Sequence, residues 1–296
     1  MMDYFNSFIT PFTHIQSDEK MVKVTIVKTG YIATTTLIDA LLDERASREN
    51  VSVRVVSSGC KMNEGEAADA ANLAAQVPTD LYVIISPNAG LPGPSKIRKV
   101  LKETGKPIII VSDEPSRKKL KEIGEEEGIG YLVLYGDPMI GAKRPFLDPV
   151  EMALFNADAI RVLSVTGVFR LVHSEIDRVI EEIEQGKEPV LPMIVVNKTR
   201  ALEYSGIKNP YARAKAMAAF EAARKVANLD VEGCFKTQGA ANYLPIVAAA
   251  HELMRSAAKL CDEAREIEKA NDSVERLVHF KDGKLKRKTE LLGKFE

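Results

Sequence analysis

The residues of this chain that could do chemistry fall in short clusters, each placed just after an apolar run. KTGYIATTT (28–36) sets Thr29, Gly30, Tyr31 and the hydroxyls of Thr34–Thr36 ahead of a helical pattern. That is a place suited to one anionic group or, more simply, to hydroxyl caps on the helix. SSGCK (57–61) adds Ser58 and Gly59. LYVIIS (81–86) runs into PNAGLPGPSK, where Pro87, Pro92 and Pro94 with Gly90 and Gly93 make a stiff turn, flanked by Ser86 and Asn88. Little side chain blocks the approach of a ligand to that backbone. Asp113, Glu114 and Asp137 supply negative charge, and Lys143 and Arg144 positive charge. Together they outline a polar cleft that can orient an organic ligand and stabilise charge developing on it.

Other chemistries lack their residues. The chain has no GxSxG elbow, no P-loop and no plausible Ser–His–Asp set. Cys60, Cys234 and Cys261 are far apart and form no CxxC, and with four scattered histidines no metal site is expected. His251-Glu252 has Arg255 where a zinc helix would need its second histidine, so it reads as ordinary helix surface. The turn after the first strand keeps only Gly30 of a GxGxxG fingerprint, which disfavours NAD. A reaction without a strong protein nucleophile or a metal leans on its cofactor. Hydride transfer between two bound organic carriers fits that absence. A NAD(P)-dependent dehydrogenase on a degenerate Rossmann sheet and a non-catalytic anion-binding module remain open on these residues alone.

The elements that position these clusters are legible from the pattern. VKVTIV (22–27), VSVRVV (51–56), LYVIIS (81–86), PIIIV (107–111) and YLVLY (131–135) are β-branched runs separated by turns and helical stretches. Continuous apolar strands alternating with helices predict an α/β fold, a Rossmann-like parallel sheet of five strands covered on both faces. PMIVVN (192–197) is a possible further strand. All the strand-end turns of such a sheet emerge on one side. Ser95 is expected to cap the helix KIRKVLKETG, and Ser116 to precede RKKLKEIG, closed by Gly124.

From Asp148 onward the chain turns helical. Asp148, Pro149 and Glu151 have the order of N-cap, first and third helical positions, opening an apolar helix expected to be central and buried. A more amphipathic helix follows over 168–185, then alanine-rich helices over 210–226 and 241–270, suited to a helical subdomain or a subunit interface. A small hairpin is expected around Asp282-Gly283. The organisation read from this is a loose extension over 1–20, an α/β domain over 21–148 that forms the cleft, and a mainly helical region over 149–296.

The 296 residues are 45% hydrophobic and 28% charged, with 41 Lys plus Arg against 42 Asp plus Glu. So balanced a charge gives no field for nucleic acid or an anionic membrane, and no apolar run approaches the ~18 residues of a span. A cytoplasmic location is the expectation.

Longer segments carry a resemblance. LLDERASRENV (41–51), PGPSK (92–96), GAKRPFLDPVEMALFNAD (141–158), VTGVFRLV (165–172), NPYARAKAMAA (209–219), VEGCF (231–235) and PIVAAAHELMRSAAKLCDEAREIEK (245–269) are unusual. Through them the chain, from Met21 almost to its end, closely resembles the archaeal methylenetetrahydromethanopterin dehydrogenases that use the 5-deazaflavin coenzyme F420. The resemblance implies reversible hydride transfer between methylenetetrahydromethanopterin and C5 of the deazaflavin, in one-carbon metabolism and methanogenesis. It implies coenzyme F420 as a dissociable cosubstrate, with no metal, flavin or NAD, and a homohexamer built as a trimer of dimers. On this reading the single phosphodiester of the coenzyme sits at Lys28–Thr36. Thr29, Gly30, Tyr31, Ser58, Gly59, Ser86, Pro87, Asn88 and Gly90 then form the coenzyme side. Asp113 and Asp137 would favour the developing methenyl cation, and Glu114, Lys143 and Arg144 would contact the substrate.

Overall fold

A computed structural model describes residues 21–296; the expected extension over 1–20 lies outside the described residues. Six parallel strands form one sheet: β1 (Val22–Lys28), β2 (Val51–Ser57), β3 (Leu81–Ser86), β4 (Ile108–Asp113), β5 (Gly130–Leu134) and β6 (Met193–Val196), in the order β2-β1-β3-β4-β5-β6. The five expected strands are present, and the possible strand at 192–197 is the sixth. β3, β4 and β5 are buried at every position, as continuous apolar runs covered on both faces must be, while β2 at one edge is largely exposed. From β1 the chain goes one way to β2 and the other way to β3. The carboxyl ends of β1 and β3 therefore flank the topological switch point where ligands bind in open sheets of this kind.

The helices α1 (Ala33–Arg45), α2 (Glu64–Gln76), α3 (Pro92–Lys102) and α4 (Arg117–Glu127) each follow one of the first four strands. Two boundaries differ from the sequence reading. α3 starts at Pro92 with Leu91 as its N-cap, so Ser95 lies inside it; Pro92 is preset for the first helical position and needs no N–H there. α4 does not stop at Gly124 but runs to Glu127 and closes on Gly128 at φ 68°. Gly124 instead makes room: a Cβ there would lie 2.8 Å from the Tyr131 ring.

α5 (Pro149–Val165) opens as expected, with the Asp148 carboxylate accepting from the Glu151 N–H at 2.7 Å. It is not buried all round. Phe155, Ala159, Val162 and Leu163 enter the core, whereas Val150, Met152 and Leu154 stay 65%, 43% and 55% exposed. Its apolar circumference is thus only partly covered within the chain. α6 (Val168–Glu184), α7 (Lys198–Tyr204), α8 (Pro210–Val231) and α9 (Ala240–Ala270) complete the helical half, and α8 and α9 make the most extensive helix pair. Half of their buried positions are alanine, which allows the close approach. α8 outruns its expected end at Val226 and passes into one π-helical turn, Glu232–Lys236. β7 (Arg276–His279) and β8 (Leu285–Lys288) form the C-terminal hairpin. Among the described residues no single helix is long and apolar enough to cross a membrane; α5 and α6 reach that length and apolarity only as a pair bent by 67°.

Candidate active site

At the switch point three strand-end turns lock together. The Gly30 N–H donates to the Gly59 carbonyl (3.0 Å) and the Thr29 N–H to the Ile85 carbonyl (3.0 Å). The Ser58 hydroxyl donates to Thr29 Oγ1 (3.0 Å) and to the Lys61 carbonyl (2.8 Å). Gly30 sits at φ 75°, and a Cβ on it would come within 2.4 Å of Met62 Sδ and 2.8 Å of Pro87 Cδ. Met62 therefore packs between the turns after β1 and β3. Gly93, at the start of α3, is held equally close: a Cβ there would stand 2.0 Å from the Met62 carbonyl. The structure thus brings Thr29, Gly30, Ser58, Gly59, Ser86 and Pro87 into one place, as the sequence predicts. It adds Met62, which carried no signal of its own.

Beneath the rigid turn after β3 lies a buried hydroxyl pair. Ser112 and Ser116 share a hydrogen bond (2.6 Å), and both accept from the Ala89 N–H, at 3.2 and 2.9 Å. Ser112 also donates to the Ser86 carbonyl (2.6 Å), while Asn88 Oδ1 accepts from the Gly90 N–H (3.0 Å). The turn is held by side chains of β4 and of the short 3-10 turn that follows it.

Asp137 does something the sequence did not suggest. It has no exposed surface, and its two carboxylate oxygens accept from the Ala33 N–H (2.8 Å) and the Thr34 N–H (3.1 Å). The anion at the N-terminus of α1 is thus Asp137 itself, a capping arrangement across 104 residues of sequence. The threonine hydroxyls there are also engaged: Thr35 accepts from the Ile32 N–H at 3.2 Å, and Thr36 bonds the Tyr31 hydroxyl. The amides of Ala33 and Thr34, in the turn expected to hold an anionic group, are thus occupied by the protein's own Asp137, whose two oxygens are turned onto α1.

Burial raises the Asp137 carboxyl to about 6 against the pull of its N–H bonds. Asp113, buried and capping the next turn through the Glu114 N–H (2.7 Å), is pushed well above the ordinary range by burial and then by the neighbouring Asp137 charge. Two neighbouring buried carboxyls of this kind resist ionising together.

The remaining expected residues sit further out. Glu114 forms a two-point ion pair with Arg224 of α8 (3.1 and 3.2 Å), and Arg224 lies over the Tyr135 ring (4.7 Å). Lys143 lies over the Tyr243 ring of α9 (4.8 Å), and Arg144 is exposed. His251 is not helix surface: it is 5% exposed, its Nδ1 is 2.7 Å from Glu151 Oε1, and its ring meets Phe146 and Phe155. The residues after β5 that precede α5 are thereby fastened to α9.

Asp230, near the end of α8, escaped the sequence reading. It is 6% exposed, neither carboxylate oxygen has a hydrogen-bond partner among the described residues, and burial raises it to about 7. A Cβ on Gly141 would lie 2.4 Å from its Oδ1. The one available signal was a lone acid in the alanine-rich stretch just before VEGCF.

Comparison with known proteins gives a consistent picture. A family model described as methylene-5,6,7,8-tetrahydromethanopterin dehydrogenase matches residues 22–296. An F420-dependent methylenetetrahydromethanopterin dehydrogenase of Archaeoglobus fulgidus is 53% identical over 276 residues, covering 93% of this chain and 100% of that protein. The enzyme of that name from Methanothermobacter thermautotrophicus is 51% identical over the same shares. A solved structure of F420 dependent methylene-tetrahydromethanopterin dehydrogenase, in complex with methylene-tetrahydromethanopterin and coenzyme F420, aligns with a TM-score of 0.90 at 44% identity. It covers 94% of this chain and 100% of its own.

Proposed function

The chain belongs to the methylene-5,6,7,8-tetrahydromethanopterin dehydrogenase family, and from that membership we propose that it transfers a hydride from methylenetetrahydromethanopterin to oxidised coenzyme F420. The products are the methenyl cation of the pterin and the reduced deazaflavin, and the reaction is reversible. The observation that carries this reading is the match over 93% of this chain, at 53% identity, to a protein of that name, together with a TM-score of 0.90 at 44% identity to a solved structure of one. The deazaflavin supplies the hydride-accepting carbon. The chain supplies two rigid surfaces at the switch point and a local negative charge.

Each part follows from the geometry. The turn 86–91, braced by Ser112 and Ser116, and the interlocked turns at Gly30 and Gly59 offer a pre-formed wall for a flat heterocycle, which limits the ordering needed on binding. The Asp113–Asp137 pair, near the carboxyl ends of β4 and β5, stabilises positive charge as it forms on the one-carbon bridge. Lys143 and Arg144 meet the anionic tail of a ligand, since the amides of α1 are already taken by Asp137. That capping also tells against a dinucleotide, whose pyrophosphate would need those amides. A homohexamer arranged as a trimer of dimers, and a cytoplasmic location, complete the proposal; the exposed apolar side of α5 supports the assembly.

The test is an anaerobic assay with methylenetetrahydromethanopterin that follows loss of the oxidised deazaflavin's absorbance, with NAD and NADP as controls. Bleaching with the deazaflavin alone is expected. Turnover with NAD or NADP, or deazaflavin binding without pterin-dependent bleaching by folded protein, would overturn the assignment.

A further inference from the structure

Away from the strand ends, three potential metal ligands converge from distant parts of the chain. His173 and Asp177 stand one helical turn apart on α6, on the same face. His279 of β7 comes down on them from the hairpin. Nε2 of His173 lies 3.1 Å from Asp177 Oδ2, and Nε2 of His279 lies 3.6 Å from the same oxygen. One donor atom from each of the three residues falls within 4.8 Å of the other two. The other carboxylate oxygen, Oδ1, accepts from Arg48 at 2.9 Å, so the acid is oriented from behind as ligating carboxylates commonly are. All three residues line a cavity of about 420 Å³ between α6 and the hairpin, and Glu181 lines it one turn further along.

We propose that His173, Asp177 and His279 bind one divalent transition-metal ion of the zinc class, which clips the C-terminal hairpin to α6. A tetrahedral ion with nitrogen and oxygen ligands at about 2.0–2.1 Å holds its donors roughly 3.3 Å apart. The two spacings to Asp177 lie within a few tenths of that value, and the imidazole–imidazole distance closes by a small ring rotation. The fourth position faces the cavity, where water or Glu181 completes the set. Charge is the point to weigh. Arg48 opposes a cation but is neutralised by Asp177, at 0% and 6% side-chain exposure. Arg170 and Arg178 also line the cavity and are held by Glu275, and by Glu175 and Glu182. Glu181 then offsets one of the ion's two positive charges. The site does not depend on the proposed reaction and lies on another face of the fold.

The experiment uses the full chain, stripped with a chelator and dialysed, then titrated with cobalt(II) and followed by visible d–d absorption and calorimetry. One ion per chain is expected, displaced by zinc. Affinity should fall at least tenfold in His279→Gln and in His173→Gln, and zinc should raise the thermal midpoint of the native chain but not of those variants. Cys60→Ser, which removes an exposed thiol, should bind as the native chain does. No cobalt spectrum and no heat with the folded native chain overturns the proposal. So does binding that survives both histidine changes or is lost in Cys60→Ser.

Discussion

Asp230→Asn should stabilise this protein at alkaline pH and leave it nearly unchanged in mild acid. In the folded chain this carboxyl is buried without a hydrogen-bond partner among the described residues and titrates at about 7, against 3.8 for the ordinary group. Between those two pH values the folded state keeps a proton that the unfolded chain has released. Stability therefore falls as pH rises through that window and levels off above it. At about 1.4 kcal/mol per pH unit the full cost of ionising Asp230 is about 4 kcal/mol, and local relaxation brings the expected range to about 2–4 kcal/mol. Asparagine has almost the same shape and never ionises, so it is spared that cost. Urea unfolding of both proteins, followed by circular dichroism at fixed concentration from pH 4.5 to 8, gives the comparison. The difference should be small at pH 4.5, grow towards pH 7 and then stay constant. A difference that does not vary with pH, or a variant less stable at pH 8, would refute the account of Asp230 as an uncompensated buried acid.

Other substitutions separate the roles assigned above. Asp137→Asn removes an ionisation cost too, yet should lose about 1–3 kcal/mol at pH 7.5, because the two N–H groups of Ala33 and Thr34 donate to different oxygens and the NH2 that replaces one of them cannot accept; equal or greater stability in urea would show that the cap contributes nothing. Gly93→Ala improves helix propensity by about 1 kcal/mol but drives a Cβ to 2.0 Å from the Met62 carbonyl, so thermal unfolding should reveal a net loss of about 1–3 kcal/mol. Ser116→Ala strips a bond from the Ala89 N–H and from Ser112; steady-state kinetics should give a raised KM for the deazaflavin with kcat largely kept, and the reverse pattern would argue against a wall for the heterocycle. Glu114→Gln breaks the pair with Arg224, whose side chains are 36% and 41% exposed, and should change stability by less than about 1 kcal/mol.

Much of the sheet is written in local chemistry. Runs such as LYVIIS and PIIIV admit one outcome, a strand covered on both faces, and the cap at Asp148-Pro149-Glu151 involves neighbours in the chain. Even the convergence of the strand-end turns follows from parallel strands alone. The boundary errors have local causes as well: Pro92 outcompeted Ser95 for the helix start, and Gly124 reads as a stop only if its packing against Tyr131 is unknown.

What local pattern cannot carry is pairing across sequence distance. Asp137 reads the same whether it faces a substrate or caps a helix 104 residues earlier, and only the packed chain decides that its oxygens go to Ala33 and Thr34. His251 has the neighbours of a surface residue, but α9 turns it onto Glu151 and Phe146. Asp230 lies in an unremarkable helical stretch, and its raised affinity for a proton comes from the desolvation that neighbouring elements impose. His173 and Asp177 display helical spacing, but their third companion, His279, arrives from the hairpin. The sequence by itself determined the layers, the edge at which the strand-end turns gather and the family. The tertiary structure alone decided which polar groups are spent on the fold and which remain for chemistry, because solvation and partnership belong to the folded environment rather than to the residue.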